Sequence, residues 1–317
     1  MFRTLIPVGF AVLVGAAVAA EEPLKALIVD GQNNHNWRGT TPLLKKALEA
    51  SGRFVVDVAT SPPPKAAPAK KDTAAGVAGD VATLPPQKQP MDSFKPEFSK
   101  YAVVVSNYNG DPWSKETCKA FEDYMANGGG LVIVHAADNS FGQWVEYNKM
   151  IGLGGWGGRN EKSGPMVRWR DGQIVRDTQP GGGGGHGANH EYCLTTRAPE
   201  HPIMAGLPAV WKHTTDELYA TLRGPAENLT VLATAFADKT KGGTAEHEPA
   251  LFTINYGKGR VFHTILGHDE RSVKCAGFVT TFQRGAEWAA TGKVTIPKPD
   301  SLPTAEKSLV WEPQPNK

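Results

Sequence analysis

The stretch SKETCKAFEDYMANGGGLVIVHAAD, residues 114–138, decides the fold. Ser114, with Glu116 and Thr117 behind it, has the look of a helix start of capping-box type. Cys118, Phe121, Tyr124 and Met125 recur at helical spacing and give the helix one apolar face. Gly128, Gly129 and Gly130 stop it. LVIVHAAD, residues 131–138, is short, apolar and β-branched, which predicts a buried strand.

The same alternation extends in both directions. KALIVDG (Lys25 to Gly31) is a first strand. A helix is expected from Thr41-Pro42, a cap followed by Pro at the first helical position, to Gly52. FVVDVAT (54–60) and YAVVVSNYNG (101–110) are the second and third strands. Downstream, MVRWRDGQIVRD (166–177) predicts a hairpin around Asp171-Gly172. EYCLTT, ELYATL, LTVLATAF, PALFTINYGKGRVFHTIL and a last helix, CAGFVTTFQRGAEWAATG, follow. The class is therefore α/β, with a mostly parallel sheet, helices on both faces and long loop insertions. One such domain is expected over 21–297. Residues 61–98, rich in Pro, Ala and Lys, are expected to be a surface insertion. Residues 298–317 are expected to be a tail.

Apolar residues make up 40% of the 317 and charged residues 21%, which excludes chain-wide disorder and a polytopic membrane protein. Lys plus Arg number 34 and Asp plus Glu 32, for a net charge of +2. With no basic cluster either, a nucleic-acid partner is excluded. Residues 1–20, MFRTLIPVGFAVLVGAAVAA, have Arg3, an apolar run from Leu5 to Val18 and small residues up to Ala20. That is the layout of a bacterial secretory signal, and a periplasmic or secreted product with no membrane span after cleavage is expected. Cys118, Cys193 and Cys275 are odd in number and widely spaced, compatible with one disulfide and a free thiol.

In an open parallel sheet, ligands bind beyond the carboxyl ends of the strands. The first strand is followed by Asn33, Asn34, His35 and Trp37, and the third by Asn107, Asn109 and Asp111. The fourth ends at His135, with Asp138 and Asn139 next, and GRVFHTIL runs into His268 and Asp269. These groups are expected to meet at one rim. His135 and His268, with Asp269 or Glu217, are the candidate acid/base set, because imidazole moves protons near neutrality. Asn33, His35, Trp37, Asn107, Asn109, Asp111 and Asp138 are the candidate substrate-binding residues, amides and carboxylates for hydroxyls. Trp37, Trp113 or Trp156 would pack against a sugar ring. No cofactor is signalled outright. A divalent metal is the second option, with His35, His135, His190, His247 and His268 as candidate ligands in a three-ligand open site. No H-E-x-x-H supports it. His213 and His263 are read as structural.

GGGLVIVHAAD (128–138), HPIMAGLP (201–208), DELY (216–219) and HEPALFTINYGKGRVFHTILGHD (247–269), in that order, resemble the ThuA-like, or trehalose-utilisation, family. The resemblance implies a flavodoxin-like, doubly wound fold similar to the class I glutamine amidotransferases, and a role in bacterial sugar utilisation. An amidotransferase needs a cysteine at the sharp turn after a central strand. Here that turn carries His135, and none of the three cysteines has such a setting, so thiolate acyl transfer is not expected. The chain lacks G-x-S-x-G and G-x-G-x-x-G, so neither a serine elbow nor a dinucleotide site is expected.

The expected function is an exported carbohydrate-utilisation enzyme acting on a glycoside or an oxidised sugar by His/carboxylate chemistry, with metal assistance as an option. Its partner would be a small carbohydrate. The alternatives are a non-catalytic sugar-binding module and a thiol-based redox sensor. The sequence is silent on oligomeric state.

Overall fold

The computed structural model describes residues 22–64 and 90–312. The secretory-signal reading of residues 1–20 and most of the expected insertion lie outside the described residues. In chain order the elements are β1 (Leu24–Asp30), α1 (Trp37–Ala50), β2 (Phe54–Thr60), β3 (Val103–Ser106), α2 (Lys115–Ala126) and β4 (Gly130–Val134). Next come α3 (Val145–Ile151), β5 (Met166–Arg170), β6 (Gln173–Asp177), β7 (Gly185–His186), β8 (His190–Thr196), β9 (Val210–Asp216) and β10 (Tyr219–Ala220). The last are β11 (Leu229–Phe236), β12 (His247–Tyr256), β13 (Gly259–Thr264) and α4 (Ala276–Thr291).

The main sheet runs β2-β1-β3-β4-β13-β12-β11-β8-β9. Its first five strands pair in parallel. From β13 onward the pairing is antiparallel, and the hairpin β5–β6 joins through β12. The fold is thus flavodoxin-like, a mixed sheet whose parallel half carries the doubly wound crossovers. β1, β3 and β4 are apolar and buried on both faces, as helices above and below require. α1 and α4 pack side by side, and α2 and α3 lie against β13 and β12. A side chain at Gly285 of α4 would collide with the Phe262 ring, so this glycine lets the helix sit directly on β13.

Local chemistry explains most of the element ends. Ser114 Oγ accepts from Thr117 N at 3.1 Å and starts α2. Asp171 and Gly172 both have positive φ (50° and 80°), the backbone of the two-residue turn that closes β5–β6. α1 begins a turn earlier than expected. Asn36, a stronger cap than Thr41, accepts from Gly39 N at 3.3 Å. Pro42 then falls inside the helix, where it removes only the bond to Arg38.

The structure adds to the sequence reading at several points. The segment before β3 is not all surface, since Met91, Phe94 and Phe98 are buried. Phe94, Phe98 and Trp113 enter an aromatic cluster with Phe121, Phe141 and Trp144, so Trp113 is core and not a sugar platform. The segment after α4 is tied down: Lys212 N donates to Thr304 O and Ala276 N to Leu309 O, both at 2.8 Å. All three cysteines are free thiols. No helix among the described residues is long and apolar enough to cross a membrane.

Candidate functional site

Four strand ends deliver the site. β4 runs into a tight turn at His135, whose φ is +46°. An L-residue pays roughly 1–2 kcal/mol for that left-handed backbone, and His tolerates it better than most. The loop after β1 brings His35, whose N–H is held by Asn33 Oδ1 at 2.9 Å. β13 leads to Gly267 and His268, and β9 ends at Asp216 with Glu217 next. The rings of His35 and His268 lie 4.6 Å apart, His35 and His135 4.9 Å, and His135 and His268 5.5 Å. Glu217 is their common partner. Its Oε2 is 3.5 Å from His135 Nε2, and its Oε1 is 3.4 Å from His268 Nε2 and 3.7 Å from His186 Nε2.

β9 is the far edge of the sheet, four places from β13, yet its end reaches the centre. The antiparallel half curls over α4, where a side chain at Gly277 would strike the Trp211 ring. Asp216 fastens the closure. Its buried carboxylate accepts from Gly267 N at 2.9 Å, His268 N at 3.3 Å and Glu217 N at 2.8 Å. His213 Nε2 holds it from behind at 2.8 Å. One carboxylate therefore sets the backbone on which both Glu217 and His268 stand.

Burial and charge act together here. Burial, and the neighbouring imidazoles of His135 and His268, pull His35 down to about 4, so it is neutral at physiological pH. Burial opposes a charge on His135, but Glu217 and Asp216 outweigh it and its pKa is raised. Burial likewise opposes a charge on Glu217, but His135 and His268 keep its pKa low. Burial keeps Tyr219 a phenol. Its ring stacks 4.2 Å from His135, and its hydroxyl is 3.4 Å from His35 Nε2.

Above the cluster opens a cleft of about 400 Å³, walled by Asn34, His35, Asn109, Asn139, Trp156, His186, Glu217 and Tyr219. Trp156 packs edge-on against Tyr219, with centroids 4.8 Å apart. A broader depression of about 740 Å³ adjoins it and shares Asn34 and Asn109; Asn33, Trp37 and Asp111 line that part. His35, Glu217 and His268 each offer a ligand atom within 4.8 Å of the others, and could hold a metal ion.

The sequence candidates therefore divide. His35, His135, His268 and Glu217 converge. His135 is only 2% exposed and stands behind Glu217, below the cleft. Asn109 lines the cleft, and Asn33, Trp37 and Asp111 line the adjoining depression. Asp269 is spent on a turn: its Oδ1 accepts from Arg271 N and Ser272 N, and its Oδ2 stays 4.0 Å from His268 Nδ1. Asn107 is buried and bonds Thr40 and Thr41. Asp138 is buried against His263 Nε2 at 3.3 Å and does not line the cleft. His190 bonds Ala188 O, and His247 packs on Phe236; neither joins the cluster. Tyr219, His186 and Asp216 are not among the sequence candidates. Asp216 and Tyr219 flank Glu217 within DELY, and His186 follows the glycine run.

Cys118, inside α2, has its thiol pushed up to about 11 by burial and by Glu122, and Cys275 is buried beside His213. No cysteine stands at the turn that carries His135.

The profile of ThuA, described as trehalose utilisation, matches residues 25–289. This chain belongs to the ThuA family. A solved ThuA-like protein from Parabacteroides merdae is 46% identical to it, covers 91% of this chain and 98% of its own, and superposes with a TM-score of 0.81. A second ThuA-like protein, from Bacteroides uniformis, is 20% identical over 88% of this chain and 96% of its own, with a TM-score of 0.54, and shows the shared fold alone. No curated protein matches the sequence. Membership of the ThuA family links the chain to carbohydrate utilisation.

Proposed function

We propose that this ThuA-family protein is an exported carbohydrate-utilisation enzyme that acts on a glycoside or an oxidised (keto) sugar. Its chemistry is proton transfer at the imidazole–carboxylate cluster. The observation that carries this reading is the meeting of His35, His268 and Glu217 within 4.8 Å at the foot of the cleft. Glu217 and His268 are its reachable proton-handling members. His135, behind Glu217, fixes the charge and orientation of the carboxylate and is a positioning residue. The Asn34, Asn109 and Asn139 amides suit sugar hydroxyls, and Trp156 offers an apolar face to a ring. Asp269 is engaged in its own turn, so Glu217 lacks it as the second carboxylate of an ordinary glycosidase pair. The secretory-type residues 1–20 support export.

The test is a screen of the purified chain against disaccharides and their keto derivatives, with products read by chromatography. Turnover of at least one sugar is expected. Glu217→Gln and His268→Ala should each abolish most of it while leaving the unfolding midpoint near that of the parent. Sugar binding without turnover, weakened only by degrees in the same variants, would replace the enzyme by a binding module.

A further inference from the structure

One carboxylate in the cleft faces three imidazole nitrogens, and the spacing is not that of hydrogen bonds. Glu217 Oε1 stands 3.4 Å from His268 Nε2 and 3.7 Å from His186 Nε2, and Oε2 stands 3.5 Å from His135 Nε2. The ring orientations are fixed from outside. His135 Nδ1 lies 2.6 Å from Ile265 O and His186 Nδ1 lies 2.8 Å from Gly187 O, so each Nδ1 carries the hydrogen. Their Nε2 atoms then face the site, as in metal-binding histidines whose other nitrogen is held by a carbonyl. Beside them, His35, Glu217 and His268 each offer a ligand atom within 4.8 Å of the others. His135 Nε2, in a nearly fully buried ring, has no hydrogen-bond partner.

We infer that His35, Glu217 and His268 form a binding site for a divalent transition-metal ion, with His186 on its open side. A tetrahedral zinc ion at its usual bond lengths holds its ligand atoms about 3.3 Å apart. The His268–Glu217 edge already has that length. The widest edge of the triad, at most 4.8 Å, must close on the ion, and His35 would then exchange its Nε2 contacts with Asn34 and Tyr219 for the metal. Two imidazoles and one carboxylate select a borderline ion such as Zn²⁺ over Ca²⁺ or Mg²⁺, which prefer all-oxygen shells. Three protein ligands leave a position open toward the amides of the cleft. The inference rests on the enzyme reading of the cleft and assigns Glu217 and His268 a ligand role when the ion is present.

Elemental analysis of the full chain as purified, then calorimetric titration of the chelator-stripped protein with Zn²⁺, tests it. One equivalent is expected to bind. Replacing Zn²⁺ by Co²⁺ should give a visible absorption band of low-coordinate, nitrogen- and oxygen-ligated cobalt. Glu217→Gln and His35→Gln should each weaken Zn²⁺ by at least about 100-fold, the upper end of what losing even an outer-shell partner costs. His190→Gln, outside the cluster, should change nothing. Zn²⁺ binding that is absent, or equal in the parent and both cluster variants, overturns the metal site. The enzyme reading would survive that result if sugar turnover persisted in chelator. Conversely, tight Zn²⁺ binding without turnover of any sugar would keep the site and remove the enzyme.

Discussion

Two groups of histidines in this molecule have the same chemistry and opposite fates. In the interior, His263 spends one nitrogen on Ile151 O at 3.0 Å and the other on Asp138 at 3.3 Å, and His213 gives Nε2 to Asp216. At the strand ends, His135, His186 and His268 direct Nε2 toward Glu217 without closing a short hydrogen bond. The difference teaches that a buried histidine is structural when both its neighbours and its carboxylate are committed. It is open to function when its Nε2 faces a carboxylate shared among several rings.

The contrast breaks most visibly at Glu217. Glu217→Gln should lower kcat/KM on a turned-over sugar by about 10²–10⁴-fold, the usual weight of a positioned proton-transfer group, with no comparable loss of stability. Steady-state kinetics beside a thermal melt reads both. His263→Ala should do the reverse. It leaves the Asp138 carboxylate buried without its imidazole and should cost about 3 kcal/mol in urea unfolding. A cleft titrated with sugar should still bind in this variant.

The buried pair of Arg168 and Glu248, in the antiparallel half, gives a second structural control. Arg168→Met should cost about 3–5 kcal/mol, and adding Glu248→Leu should recover much of it, because two apolar side chains replace two desolvated charges. If the double variant stays as unstable as the single, the pair does more than balance charge. Protonation sharpens the comparison next. Burial opposes a charge on His213, but Cys275 and Asp216 hold it up at about 10, whereas His35 sits at about 4. Histidine resonances followed by NMR should titrate that far apart. The His213 contribution to stability is complete below the unfolded value near 6.5 and is lost as pH rises toward 10. For His35 the unfolded chain takes up the proton first, so stability falls as pH drops from about 6.5 to 4. The smallest effect belongs to a residue outside both groups. Ser114→Ala should remove one helix cap and cost about 1 kcal/mol, with the cleft untouched.

How much of this was legible in the sequence follows from where each signal lives. The parallel half was readable because β1, β3 and β4 are short apolar runs with glycine or polar stops, and a buried strand admits little else. β9 was not, because VWKHTTD buries only Trp211, His213 and Asp216 and otherwise looks like a loop. Without β9 the place of Asp216 could not be seen, although Glu217 was picked from the same four-residue motif. Position after a strand also does not say which way a side chain points. His135 and Asp138 are three residues apart on one tight turn, and one faces Glu217 while the other turns inward to His263. Asn107 and Asn109 separate in the same manner, the first into the core and the second into the cleft. The pairing of β7 with β10, which sets His186 opposite Tyr219, depends on a glycine-rich approach with no periodic pattern of its own.

The grip of Asp216 on three backbone amides has a mechanical corollary. The two loops that present Glu217 and His268 belong to strands far apart in the sheet order, yet they cannot drift independently. A disturbance anywhere along the outermost ribbon is transmitted to both sides of the reactive mouth at once, so the remote rim of this protein is as much a part of its working edge as the strands at its centre.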